Sequence, residues 1–432
     1  MTASQRPLAW VARDAWLMVS ARFLRTFAQS LIAVFFGIYL IELGYSLVQM
    51  GLLITIGSIG STVFATLIVF VGDTLGRRRL LIGFTAMMGL AGLGYSFTEN
   101  YVLLAFVSFF VGSIAISGSG PRGPVQPLEQ AALPDTTTAE HRTDLFALAG
   151  IGERAARLAG TLGAAAPAVL VPVLGVGEIT AFKLMFVVYA VIMLASAAMY
   201  GLLSPAIDSG VSGGGWRNPL RLKSRRTIFS LAAIVSVDGF ATRFVFFSLV
   251  GAWFHLEYGF DLAEVSYVLA GSTVLNMVSL WVAARLANRI GLLNTVIYTH
   301  IPAVAATLAL PFAPTAWLAV VFWFVRAFFG QMDAPARQSY TMAIVSRDER
   351  VAMASITNVS QAGVGAVTPS LATVLWQAAS ASAPFVASGA LKSVYLIGLY
   401  LAFKDVHPPE EQERAERRRL EREARRSGGA GG

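Results

Sequence analysis

Apolar residues run through this chain in long blocks, and polar residues collect in the short gaps between them. A bilayer-spanning helix needs ~20 predominantly apolar residues. Twelve blocks meet that measure: 16–42, 47–71, 79–98, 101–121, 144–172, 179–203, 227–256, 262–287, 292–312, 315–338, 349–378 and 384–403. Strands of a membrane barrel would instead alternate every second residue over ~10 positions. The pattern therefore predicts an all-α membrane protein with twelve transmembrane helices in two pseudo-symmetric six-helix bundles. The longest interior gap, 204–226, is rich in Gly, Ser and Pro and then turns basic, as a cytoplasmic linker would. It divides the chain into an N-terminal bundle (1–203), the linker (204–226), a C-terminal bundle (227–403) and a charged tail (404–432). The tail alternates Glu and Arg at helical spacing, which predicts a solvated helix within reach of anionic headgroups.

Composition agrees with the pattern. The chain is 56% hydrophobic and only 13% charged, about half the charge of a soluble domain. It has no cysteine, which excludes disulfides, thiolate chemistry and cysteine-ligated metals. The start, "MTASQRPLAWVARDAW", carries no short apolar core with a small-residue cleavage site, so the first block is read as a span and not as a removable signal. The net charge of +8 would suit nucleic acid, but its placement argues otherwise. Arg and Lys crowd alternate loops, the linker and both termini, whereas the opposite loops carry Glu42, Glu99, Glu178, Glu257, Asp261 and Glu264, with Lys183 nearly the lone base. That asymmetry predicts a multi-pass protein of the cytoplasmic membrane with both termini inside. No GxxxxGK[ST] loop occurs, so an ATP-driven pump is not expected. His141, His255, His300 and His407 are far apart and lack metal-ligand spacing. No enzyme, metal or cofactor is expected, and the chain is expected to be a monomer whose partners are the bilayer and a small molecule.

A shift of 215 residues lays one half on the other. "IELGYSLVQMG" (41–51) falls on "LEYGFDLAEVS" (256–266), Asp73 and Gly76 fall on Asn288 and Gly291, and Arg122 falls on Arg337. A second register pairs "GTLGAAAP" (160–167) with "AGVGAVTP" (362–369). Parallel repeats of this kind place a transport site near the midplane between the halves.

The gap "VGDTLGRRRL" (71–80) carries Asp73, Gly76, Arg77 and Arg78 between spans two and three. With twelve spans and a long central loop, it resembles the major facilitator superfamily, whose signature there is G-x-x-x-D-[RK]-x-G-R-[RK]. Val69 and Thr74 depart from that signature, and the second copy has Asn288, Arg289 and Gly291. The resemblance implies gating for these seven positions, holding the halves together in one state and releasing them in another. A plain orientation signal would use the same arginines. The chain resembles drug/proton antiporter-like members, and "QMDAPARQSYTMAIV" and "GPVQPLEQAALPD" resemble a bacterial branch of the family. Gly160, Gly163 and Pro167 approximate the exporters' span-five pattern. Span four has no arginine, whereas span ten has Arg326 and Gly330 at the spacing that proton-coupled members carry in span four.

An ionisable group at the bilayer centre costs ~3 kcal/mol or more and is a functional candidate by default. Arg22, Arg25 and Gln29 share a face of span one; Glu153, Arg154 and Arg157 lie in span five, Asp238 and Arg243 in span seven, Arg326 and Asp333 in span ten, and Lys392 in span twelve. An isolated buried charge is too costly to keep, so Arg22 or Arg25 should pair with Glu153, and Asp238 or Asp333 with an arginine. Such pairs could be static, or Glu153, Asp238 and Asp333 could carry protons as the cavity opens to each side. Gln29, Tyr39, Phe246 and Trp323 are cavity candidates because the resemblance lines the pathway with spans one, four, seven and ten. The reading is a secondary transporter for a small amphipathic or hydrophobic compound, exported in exchange for protons. Uptake or facilitated passage of a small organic anion is the alternative, and a receptor or membrane enzyme the rival outside the class.

Overall fold

Lipid offers backbone N–H and C=O groups no partner, so a spanning segment must satisfy them internally. The computed structural model describes residues 11–112, 125–138, 141–208, 225–290, 292–332, 356–357, 360–361 and 363–403, and among these every regular element is a helix. In chain order they are α1 (Arg13–Glu42), α2 (Leu47–Leu75), α3 (Arg77–Phe97), α4 (Tyr101–Val111), α5 (Val125–Ala132), α6 (Arg142–Gly163), α7 (Ala166–Leu174), α8 (Glu178–Gly201), α9 (Arg225–Arg243), α10 (Phe247–Tyr258), α11 (Leu262–Ile290), α12 (Leu292–Ala309), α13 (Ala316–Phe329), α14 (Thr368–Ala378) and α15 (Ala383–Phe403). Among the described residues, nine helical stretches are long and apolar enough to cross a membrane, two of them joined pairs, α6 with α7 and α9 with α10. The remaining predicted spans are seen only in the shorter α4, α13 and α14, which border stretches outside the described residues. The tail expected to form a helix also lies outside them.

Two predicted spans are interrupted. Span five breaks between α6 and α7, with a proline in the first turn of α7 and Pro172 inside it; proline cannot donate to the preceding turn. Span seven breaks at Phe244–Phe246, between α9 and α10. The segment 125–136, expected to be loop, folds as α5 and a 3-10 turn.

α1 is the most enclosed of the long helices, packed on α6, α8 and α10. Large apolar side chains on the outer surface, among them Phe97, Val102, Phe106, Val173 and Trp317, are more than half exposed, as a surface solvated by lipid requires. An apolar groove of about 600 Å³ between α3 and α4 belongs to that outer surface.

The sequence repeat reappears as repeated geometry. α2 packs on α4 as α11 does on α13, α3 on α8 as α12 on α15, and α1 on α8 as α9 on α15. Gly44 and Gly259, 215 positions apart, both take positive φ, 81° and 69°, a conformation glycine adopts without steric cost. Each is followed by a reciprocal capping box. Ser46 and Gln49 exchange bonds of 3.3 and 2.9 Å, and Asp261 and Glu264 exchange bonds of 2.7 and 3.0 Å. Deeper in, Ser196 donates to the Ala21 carbonyl at 2.9 Å and Ser388 to the Ala241 carbonyl at 2.7 Å.

Candidate functional site

α5 is amphipathic: Val125, Leu128, Glu129 and Ala132 form its buried face at helical spacing. The acid on that apolar stripe is 1% exposed, and a buried carboxylate needs partners. Arg25 supplies a fork, with Nη2 2.6 Å from Oε2 and Nε 3.2 Å from Oε1 of Glu129; this two-point geometry is the strong form of a charge-assisted bond. Tyr200 at the end of α8 donates its hydroxyl to the same carboxylate. Arg25 also donates to Gln29 Oε1 at 3.2 Å, while Gln29 Nε2 has no partner among the described residues. Beside this lies a second acid, Glu153, which accepts from Arg22 and, at 3.1 Å, from Arg157 one turn on. Arg22 Nε stands 3.9 Å from Glu129 and ties the two groups into one cluster. Three arginines thus surround two glutamates.

The expected Arg22–Glu153 pair is present, and Arg25 goes elsewhere, to Glu129. Glu129 is not among the candidates from sequence because "GPVQPLEQAALPD" falls in a gap between apolar blocks. The signal was there: an acid on the apolar stripe of a short helical repeat.

A second cluster joins α9, α12 and α15. Asp238 Oδ1 accepts from Lys392 Nζ at 3.0 Å, and His300 Nε2 stands 3.8 Å from the same oxygen. His300 Nδ1 is 3.2 Å from the Val296 carbonyl, and its ring packs on Tyr395. All three charged or titratable groups are buried. Sequence reasoning named an arginine for Asp238; the structure puts the last span's lysine there. Asp333, the other candidate, lies outside the described residues.

The remaining intramembrane arginines are different. Among the described residues no carboxylate pairs with Arg243 or Arg326. Arg326 lies 4.7 Å over the Trp323 ring. Arg243 lies where a Cβ at Gly365 would collide with it. Trp323 is buried, its Nε1 has no partner among the described residues, and its ring meets Phe247 at 6.4 Å. Phe246 is buried as the N-cap of α10. Tyr39 packs against Phe182 and Phe186, its hydroxyl on the Tyr95 carbonyl at 3.1 Å; it is occupied in packing α1 against α3 and α8.

Helices from the two sequence halves meet in a seam at the end of α1 remote from its N-terminus. Ser248 Oγ donates to the Ala33 carbonyl at 2.7 Å, linking two positions 215 apart, so α1 and α10 cross where each residue faces its own repeat counterpart. Ser370 bonds Thr55 Oγ1 at 2.7 Å and the Gly51 carbonyl at 3.3 Å, joining α14 to α2. At the rim, His255 Nε2 is 3.8 Å from Glu42.

The comparisons with known proteins decide the class. The sequence model of the Major Facilitator Superfamily matches residues 18–330 and 231–428. The chain belongs to the Major Facilitator Superfamily. Solved structures share the fold of this family member. A bacterial homolog of the human lysosomal transporter Spinster, in an inward-facing and occupied conformation, gives a TM-score of 0.72 at 14% identity over 90% of this chain and 96% of that one. The nucleoside transporter NupG gives 0.67 at 12% identity over 91% and 99%. An uncharacterized membrane protein of Saccharomyces cerevisiae, YJR124C, is 27% identical over 206 residues, 46% of this chain and 44% of that protein. The chain thus spans less than half the length of this curated relative.

Within the family member, the loop carrying the superfamily signature is a tight turn. Gly76 has φ of 81° and is both C-cap of α2 and N-cap of α3. Arg77 donates to Asp135 at 2.7 Å and to the Ala131 carbonyl at 3.2 Å, tying the turn to the segment that carries Glu129. Arg78 donates to the Gly201 carbonyl, beside Tyr200. The side chains of Asp73, Asn288 and Arg289, and all of Gly291, lie outside the described residues. The His141–Asp144 pair, 3.3 Å apart, is a local contact at the start of α6. Among the described residues no cluster has the makings of a metal site.

Proposed function

We propose that this family member is a proton-coupled exporter that moves a small amphipathic compound across the cytoplasmic membrane by alternating access. The observation that carries the reading is the seam. Two halves that meet along a pseudo-two-fold, through small residues and single hydroxyl bonds, can part at one end while closing at the other. In the proposed orientation, with both termini cytoplasmic, the seam is the outer gate and the state is inward-facing. The proposed division is the one expected above, two six-helix bundles at 1–203 and 227–403 joined by 204–226, with a charged tail at 404–432 and a monomeric chain. The repeated capping boxes and helix pairs support it.

The proton site we propose is Asp238 with His300 and Lys392. The His300 imidazole, a group that can bind or release a proton, faces a carboxylate shared with an ammonium. Glu153 and Glu129, each held by arginine, have a structural part: they fix α1, α5, α6 and α8 as one body. Arg77, through Asp135 and Ala131, links that body to the turn containing Asp73, Gly76 and Arg78; together with Asn288, Arg289 and Gly291 these are the proposed gating residues.

The test is flux of an amphipathic compound panel in inverted vesicles, with and without an uncoupler. Export predicts accumulation that collapses with the proton gradient and is lost in Asp238→Asn. Flux that survives both the uncoupler and Asp238→Asn overturns the coupling. Turnover of a compound without any gradient would make the protein an enzyme and overturn the class of function.

A further inference from the structure

Arg243 and Arg326 sit on different helices, and the chain places them at one depth. The end of α10 lies beside the start of the α13 span, where the Tyr258 hydroxyl donates to the Ala313 carbonyl at 2.8 Å. The two segments therefore run antiparallel. Following each away from that bond, Phe247 and Trp323 come into ring contact. A further turn brings α9–α10 to Arg243 and α13 to Arg326. At ~1.5 Å per residue both lie ~20 Å from the Tyr258–Ala313 bond, inside a hydrocarbon layer ~30 Å thick.

Three more features converge there. The helix break ends α9 at Arg243 and starts α10 at Phe247, with no side chain capping the N-terminus of α10. The first N–H groups of a 12-residue helix consequently lack helical partners, and they carry the positive end of the helix dipole. Trp323, 1% exposed, keeps an indole N–H with no acceptor among the described residues. Gly365 leaves the space that the Arg243 guanidinium occupies. Two arginines and an indole donor stand beside the start of a helix; among the described residues the arginines have no carboxylate and the indole no acceptor. Intramembrane arginines otherwise pair with acids or backbone carbonyls, as Arg22, Arg25 and Arg157 do in this protein.

We propose that Arg243, Arg326, the Trp323 indole N–H and the N-terminus of α10 form a binding site for the anionic head of an amphipathic organic acid, a carboxylate or phosphate, with its apolar body against the Phe247 and Trp323 rings. This rests on the transporter reading and names the substrate class of that same site. Arg326 is held over Trp323 by cation–π attraction, which leaves its N–H edge available for a two-point bond to an oxyanion. Arg243 meets the anion from the facing helix, at the break in span seven. The interrupted span is what brings backbone donors to that depth.

The test is equilibrium binding to purified protein in detergent, which needs no flux and stands apart from the transport assay. The probes are 2-naphthoate, phenyl phosphate and the uncharged 2-naphthamide. At least one anion should bind saturably, and 2-naphthamide should bind about tenfold or more weakly, the scale of one lost charge-assisted bond. Arg243→Met and Arg326→Met should each weaken the anion by about tenfold or more, bringing it level with the amide. Arg326→Lys keeps the charge without the fork and should fall between; it also serves if the methionine variants misfold. Lyso-phosphatidic acid in mixed micelles is the further arm. Competition with the soluble anion makes a lipid acid one of the site's ligands, and no competition restricts the site to soluble acids. Saturable binding of neither anion, equal binding of acid and amide, or full affinity in folded Arg243→Met and Arg326→Met protein overturns the proposal. If binding holds but vesicles show no flux, the site stands and the transport reading fails.

Discussion

Replacing Glu129 with alanine is the sharpest test of how the N-terminal half is held together. The substitution removes the acceptor of both Arg25 bonds, 3.2 and 2.6 Å, and of the Tyr200 hydroxyl. Arg25 is 1% exposed, so its guanidinium is left in a site that water does not reach. Breaking a buried pair from one side costs ~3–5 kcal/mol, because a charge remains uncompensated. Tyr200→Phe removes one neutral donor from the same acid and should cost ~1–2 kcal/mol. Removing both charges is a different perturbation. Arg25→Leu with Glu129→Leu deletes the desolvation cost along with the attraction and should fall within ~1 kcal/mol of the parent. The assay is reversible unfolding in mixed micelles, followed by tryptophan fluorescence, for the parent, Glu129→Ala, Tyr200→Phe, the single variants Arg25→Leu and Glu129→Leu, and their double variant. The double-mutant cycle then isolates the coupling. The reasoning is refuted if Glu129→Ala loses less than ~1 kcal/mol, or if the double variant is as unstable as Glu129→Ala.

Because the protein has no cysteine, the seam can be tested by crosslinking. Thr55→Cys with Ser370→Cys places thiols where the native hydroxyls are 2.7 Å apart; oxidation should form the disulfide, stop flux, and reverse on reduction. Unchanged flux in crosslinked protein would remove the seam from the transport cycle. Gly259→Ala and Gly44→Ala each force a methyl group into a left-handed turn and should destabilise by ~1 kcal/mol in the same unfolding assay. A similar loss at both positions is expected because the turns are repeat copies, and a loss at one alone would contradict that equivalence.

The hydrophobic pattern made the helices, their repeat and their membrane setting legible, since each depends only on composition along a segment. The turn glycines were equally plain: "IELGYSLVQMG" and "LEYGFDLAEVS" carry their caps within eleven residues. The pair within span five, Glu153 with Arg157, follows from helical spacing, and the rule that a buried charge must be matched left Arg22 or Arg25 as the further partner of Glu153. Three things were not legible. Glu129 meets Arg25 across 104 positions, and no local pattern records such a meeting; only the packing of α5 under α1 decides it. Asp238 takes Lys392 and His300 because α9 packs on α15 and α12 brings the imidazole alongside. The break in span seven is invisible in "FATRFVFFSLV", which contains neither proline nor glycine. Sequence by itself determined which segments leave water, because transfer of apolar surface is a property of each segment alone. The tertiary structure decided which of the described buried charges meet an opposite charge and which do not, because in a low-dielectric interior that depends on neighbours a few ångströms away from other helices.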